Sequence, residues 1–260
     1  MKKLLFFLLV IATAGGLFFG YQSWQGQLKA VHEKSPVLTT EAQSAVQEES
    51  EAEEETATAE EGSDLPFNTD LPAEFLEKVK SAEANGDSLS ITLVSTDSAA
   101  LESPAWTGIL EERFSEVLNN SSIETFSYEE TSDYWADEMA QDDRFVNADI
   151  ILFELPTIYD NGYWSIDDQE YFMDQIISEL EAMDASVFAM PSQPIAGASY
   201  YNDEVEVISE RFDGTSITYI DHWDEWPSDL ENYLTEDNDP TSEANALWGE
   251  TLSAYFFNQQ

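Results

Sequence analysis

The chain of 260 residues carries 54 Asp and Glu against 9 Lys and Arg, has no cysteine, and is 42% hydrophobic with 13% aromatic residues. That apolar content suffices for a sizeable core in one domain with appendages, which excludes wholesale disorder despite the charge. A net charge of −45 excludes nucleic acid and anionic lipid headgroups as electrostatic partners, and the missing cysteines exclude a disulfide scaffold, a thiolate zinc site and a cysteine nucleophile.

The charge is uneven. Residues 1–40 hold four lysines and one acid, Glu33, and residues 41–64 hold ten acids and no base. The remainder, 65–260, still carries 43 acids against five bases, a net −38. The excess therefore belongs to the domain as well as to the segment before it. A surface adapted to high salt is the expectation, because self-repulsion of this size is relieved by screening. A cation-binding protein is the rival reading, and no 12-residue calcium-loop pattern supports it.

In chain order, Met1-Lys2-Lys3 precedes an uncharged apolar run from Leu4 to Tyr21. As a helix at about 1.5 Å per residue the run reaches about 27 Å, enough to span the bilayer hydrocarbon. Lysines before it and acids after it place the N-terminus in the cytoplasm and the rest outside. Ala12-Thr13-Ala14 leaves a cleaved signal peptide as the alternative, with a secreted product. The expected organisation is an anchor at 1–21, an acidic disordered linker at 22–66 and a folded domain at 67–260. Glu48-Glu49-Ser50-Glu51-Ala52-Glu53-Glu54-Glu55 typifies the linker, which has almost nothing to bury.

From about residue 67, short apolar runs alternate with amphipathic ones. Strands are predicted at Leu89–Ser95, Ile123–Tyr128, Ala148–Phe153, Ser186–Met190 and Ser216–Ile220. Helices are predicted at Trp106–Leu118, near Asp133–Gln141, at Asp167–Met183, near Asp203–Arg211 and at Ser242–Phe257. Five apolar strands separated by helices predict an α/β fold, a three-layer α/β/α sandwich around a five-stranded parallel sheet. Ligands of such sheets sit beyond the carboxyl ends of the strands, which singles out loops 95–104, 128–132, 154–165, 191–201 and 221–241.

The first of those loops reads Val94-Ser95-Thr96-Asp97-Ser98-Ala99, with a serine just after a buried strand. Such a serine suits a nucleophile, while Ser and Asp are equally ordinary turn and cap residues. Later loops carry Phe153-Glu154 before Asp160-Asn161-Gly162, then Pro191-Ser192-Gln193-Pro194-Ile195 with Gly197-Ala198-Ser199-Tyr200-Tyr201. Tyr219-Ile220-Asp221-His222-Trp223, Trp226-Pro227, Leu234-Thr235-Glu236-Asp237, Pro240 and Leu247-Trp248 complete the series. In order and spacing, residues 88–258 resemble the SGNH/GDSL hydrolases, specifically a membrane-anchored Gram-positive branch.

The resemblance implies a flavodoxin-like domain that cleaves esters with a serine nucleophile, an Asp-x-x-His base and orienter, and glycine and asparagine oxyanion donors. Carried over by position, Ser98 matches the nucleophile, with Ser95 close enough to compete. The glycine falls on Glu130 and the oxyanion asparagine on Tyr159, with Asn161 two residues on as a substitute donor. Asp-x-x-His falls on Glu236-Asp237-Asn238-Asp239, so Asp239 stands where the family has its histidine. A carboxylate with a reference pKa of about 3.9 is a weaker base than imidazole.

His222 is the one histidine of the domain. Two readings stay open: a substitute base for Ser98 oriented by Asp221, Asp224 or Asp239, or a local hydrogen-bonding role between Trp223 and Trp226. Carboxylate pairs carry no information in so acidic a chain, and neither a histidine cluster with metal-ligand spacing nor a phosphate loop is present. No cofactor or metal is expected, and a monomer is expected. Tyr159, Tyr163, Trp164, Tyr200, Tyr201, Trp223 and Trp226 gather in the edge loops, either as platforms for sugar rings or as ordinary loop packing. Two functions follow: an extracytoplasmic esterase or deacetylase acting on an acylated envelope glycan or a small ester, or a catalytically silent relative serving as a binding or scaffold module.

Overall fold

The computed structural model describes residues 66–258. The expected anchor and most of the expected linker lie outside the described residues. Among the described residues no helix is long and apolar enough to cross a membrane.

The elements run α1 (Ala73–Asn85), β1 (Leu89–Thr96), α2 (Asp97–Ala100), α3 (Trp106–Val117), β2 (Ser121–Tyr128), α4 (Ser132–Glu138), α5 (Asp143–Val146), β3 (Ile150–Glu154), α6 (Thr157–Asp160), α7 (Ile166–Glu181), β4 (Ser186–Met190), α8 (Ser199–Glu210), β5 (Thr218–Tyr219) and α9 (Ser242–Phe256). The five strands form one sheet of order β2-β1-β3-β4-β5 with every pairing parallel. The α/β class and the five-stranded parallel sheet thus match the sequence expectation.

Strand periodicity explains the three layers. Successive side chains point to opposite faces, so a strand covered on both sides is apolar throughout. In β1, Ile91 and Leu93 enter one core cluster while Val94 enters the other. In β3, Ile150 and Leu152 face the first, and Ile151 and Phe153 the second. Phe188 and Met190 of β4 face the first, and Val187 and Ala189 the second. The first face is covered by α1, α3 and α9 through Phe75, Phe114, Trp248 and Phe256, and the second by α4 and α7 through Trp135, Met173 and Ile176. Helices α3 and α9 approach so closely that a Cβ at Gly249 would meet Ile109 Cδ1 at 2.6 Å.

Besides the short helices α2, α5 and α6, which no predicted element covers, three elements differ from expectation. Helix α1 was not anticipated: its apolar positions Phe75, Val79 and Ala82 are diluted by charged neighbours, and Gly86 closes it in the left-handed region at φ 72°. Helix α8 starts at Ser199, earlier than the pattern indicates. Strand β5, at one edge of the sheet, pairs over two residues only. In this order β1 and β3 are the neighbours from which the chain winds in opposite directions, so their carboxyl ends open a crevice.

Candidate active site

Ser98 lies at that crevice, in the short helix α2 directly after β1. Thr96 makes the turn: its hydroxyl accepts the Ala99 N–H at 3.2 Å and donates to Glu154 Oε1 at 2.6 Å. Glu154 ends β3, fully buried, and its other oxygen accepts the Thr96 N–H and the Trp106 indole N–H, each at 3.1 Å. Burial pushes this carboxyl up to about 7, against the pull of those donors. One buried acid therefore joins the ends of β1 and β3 and holds the serine turn.

The Ser98 hydroxyl donates to Asp239 Oδ1 at 2.6 Å and accepts from Gln193 Nε2 at 2.8 Å. Its backbone N–H donates to the Tyr159 hydroxyl at 3.2 Å. Asp239 is presented by a tight turn closed by the Leu234–Pro240 bridge. In that turn the Thr235 hydroxyl accepts the Asp239 N–H at 3.1 Å, and the Thr235 N–H donates to the Asp239 carbonyl at 2.8 Å. Asn238 adopts φ 67°, the left-handed conformation that asparagine tolerates. Burial pushes the Tyr159 phenol up to about 12, so its hydroxyl keeps its proton.

The structure thus brings Ser98, Asp239 and Tyr159 together. Ser95 instead lies inside β1 opposite Ser127 of β2, and makes no contact with the Ser98–Asp239 pair among the described hydrogen bonds. Asn161 closes α6, its N–H on the Thr157 carbonyl, and among the described residues no hydrogen bond joins it to Ser98. The Glu130 carboxylate turns back onto the Glu129 N–H at 3.1 Å.

His222 corrects the substitute-base reading. It is 1% exposed and stacks on Trp248 with ring centroids 4.5 Å apart. Nδ1 accepts the Trp226 indole N–H at 2.9 Å, and Nε2 lies 2.9 Å from the Pro191 carbonyl. Both nitrogens are committed, and neither bond is to Ser98. Asp221, an expected orienter, accepts the Trp223 N–H instead.

Gln193 and Glu154 were missed as functional residues, although both stand in strings that carry the family resemblance. For Glu154 the signal was an acid at the end of an otherwise apolar strand, whereas Gln193 lies beyond the end of β4 at Met190 and carried no such signal. Asp160 belongs to the same class: it is 1% exposed, accepts the Ser132 N–H at 2.9 Å at the start of α4, and is pushed by burial up to about 7. Among the described residues no cluster of His, Asp and Glu is arranged to hold a metal ion.

The sequence matches no family model and no curated protein. Solved structures do match. A psychrotrophic esterase from Pseudoalteromonas sp. aligns over 64% of this chain and 95% of its own, at 14% identity and a TM-score of 0.52. A G-D-S-L family protein from Desulfitobacterium hafniense covers 64% and 98%, at 15% and 0.51. An acetylxylan esterase from Geobacillus stearothermophilus, solved as a catalytic mutant, covers 64% and 93%, at 9% and 0.52. The chain has the flavodoxin-like fold of the SGNH/GDSL hydrolases.

Proposed function

We propose that the domain is an SGNH-type ester hydrolase in which Ser98 is the nucleophile and Asp239, in place of a histidine, is the base. The observation that carries this reading is the 2.6 Å hydrogen bond from the Ser98 hydroxyl to the Asp239 carboxylate, at the carboxyl edge of the sheet. Ser98 Oγ attacks the acyl carbonyl, its proton passes to Asp239, and the carbonyl electrons move onto oxygen. Collapse of that intermediate expels the alcohol, which takes the proton from Asp239. Water then attacks the acyl-serine with Asp239 again accepting the proton, and Asp239 returns that proton to Ser98 Oγ as the carboxylic acid leaves. The Tyr159 O–H and the Ser98 N–H lie where they can donate to the oxyanion once substrate parts them; each such donor is worth about 3–4 kcal/mol.

The substrate we infer is an acylated envelope glycan met outside the cytoplasmic membrane, with residues 4–21 as anchor. The acylated sugar handled by the structurally similar acetylxylan esterase and the lysine-then-acid order around the apolar run support it.

The second reading, a silent binding module, is favoured by one specific observation: the Ser98 N–H is already capped by Tyr159 while the domain's one imidazole is bonded elsewhere. Turnover of p-nitrophenyl acetate at high salt separates the two. Wild type and His222→Ala hydrolysing it while Ser98→Ala does not supports the esterase. Equal background rates in all three leave the binding module.

A further inference from the structure

The Asn238 carbonyl oxygen can only accept, and it lies 3.1 Å from the side-chain amide of Gln193. The amide must therefore turn its nitrogen toward it, since an oxygen there would be repelled. That same nitrogen lies 2.8 Å from Ser98 Oγ. An amide nitrogen has hydrogens and no acceptor, so Ser98 Oγ must accept at that point. The single hydroxyl proton of Ser98 is left to the remaining neighbour, Asp239 Oδ1. Gln193 is 0% exposed, and its own Oε1 has no partner among the described residues. An unpaired buried acceptor is unfavourable, so the two donor bonds, and not Oε1, fix the orientation of the amide.

The surroundings keep Gln193 in place. Its carbonyl accepts the Tyr201 hydroxyl at 3.2 Å, and Tyr201 in turn bonds the Thr157 hydroxyl at 3.0 Å. The other bond from Nε2 holds the left-handed Asn238, the residue before Asp239.

From this we infer that Gln193 is a positioning residue that sorts the serine's proton: by donating to both Ser98 Oγ and the Asn238 carbonyl, it directs the Ser98 hydroxyl onto Asp239 and sets the turn that presents Asp239. Its catalytic consequence rests on Ser98 being the nucleophile, as proposed above; its geometric part does not.

Two variants and two measurements test it. Gln193→Met removes the donor at similar volume, and Gln193→Glu keeps the shape while offering a donor only when protonated. Reaction of Ser98 with a fluorophosphonate, which bonds Oγ to phosphorus and expels fluoride, reads the nucleophile directly, with Ser98→Ala as the unlabelled control. Gln193→Met is expected to label at least about tenfold more slowly than wild type while still unfolding in one cooperative transition. Gln193→Glu is expected to label slowly at neutral pH and to recover on acidification towards about pH 5, a profile that a purely structural role does not produce. Neutron diffraction on deuterium-exchanged crystals is expected to show the Ser98 deuteron on the line to Asp239 in wild type and turned towards residue 193 in Gln193→Glu at neutral pH, where the new carboxylate is a rival acceptor. Labelling unaffected in both variants, or a deuteron still aimed at Asp239 in Gln193→Glu at neutral pH, overturns the inference. A wild type that never labels overturns the nucleophile reading instead, and diffraction then decides the role of Gln193 alone.

Discussion

The Trp226 indole donates to Nδ1 of His222 at 2.9 Å, and this bond, together with the contact of Nε2 to the Pro191 carbonyl, fixes the imidazole as the neutral Nε2–H tautomer. Protonating Nδ1 sets two donors against each other in a dry site, and burial holds the ring down to about 4. His222 is therefore a packing residue between Trp226 and Trp248. His222→Ala is expected to cost about 3 kcal/mol in urea unfolding, through the cavity and the unpaired indole and carbonyl it leaves. Ester turnover per folded molecule should stay within about twofold, because His222 lies on no step of the proton's path. A collapse of turnover in the folded variant restores the substitute-base reading.

Asp239 offers the converse experiment. Its turn already presents residue 239 to Ser98, held by both the hydroxyl and the N–H of Thr235. Asp239→Asn keeps the shape but cannot take a proton, and turnover should fall by about a hundredfold. Asp239→His places a base with a reference pKa of about 6.5 at the same position. It is expected to raise p-nitrophenyl acetate hydrolysis at neutral pH by about tenfold or more. No gain in a folded variant that still reacts with a fluorophosphonate means that Asp239 is not the base.

The centre of the sheet was legible because its strands are short, apolar and buried on both faces: Ile150–Glu154 and Ser186–Met190 lie where their composition puts them. Helix α1 was not, since three buried positions among charged residues give too weak a stripe. At the candidate site, the family resemblance singled out Ser98, Tyr159 and Asp239 but not the bonds between them. Scarcity misled in one case: as the one histidine of the domain, His222 invited a catalytic role, yet nearby Trp226 is its hydrogen-bond partner and Trp248, in the last helix, is its stacking partner. Gln193 stayed illegible because its importance lies in bonds to residues 95 and 45 positions away.

Glu154, Asp160 and His222 make opposing contributions to stability as pH changes. Glu154 and Asp160 hold their protons in the folded chain up to about 7, above their ordinary values of 4.5 and 3.8. The unfolded chain ionises first, so their contribution is full at low pH and is lost as pH rises from about 4 to about 7. His222, lowered from 6.5 to about 4, contributes fully above 6.5 and loses that as pH falls towards 4. Glu154→Gln keeps an oxygen for the Thr96 and Trp106 N–H groups and, with the bond to Thr96 reversed, donates its amide N–H to the Thr96 hydroxyl oxygen, without the titration. Relative to wild type it should gain about 3 kcal/mol between pH 4 and pH 8. A difference constant across that range removes Glu154 as the titrating group.

The charge itself makes a prediction that the ion pairs sharpen. Five salt bridges join cations to carboxylates among the described residues, and four of the five carry a partner at least 40% exposed in its side chain. Pairs of that kind are worth about 0–1 kcal/mol each and leave most of the acids unbalanced. Repulsion among those acids acts over about 10 Å at 0.1 M salt and about 3 Å at 1 M. The melting temperature is therefore expected to rise by about 5–10 °C between about 0.05 and about 2 M NaCl. Potassium and choline chloride should match sodium at equal ionic strength, because screening does not depend on which cation supplies it. Stabilisation by millimolar calcium alone points instead to a specific cation site, and a melt that ignores salt altogether removes the expectation of a surface adapted to high salt.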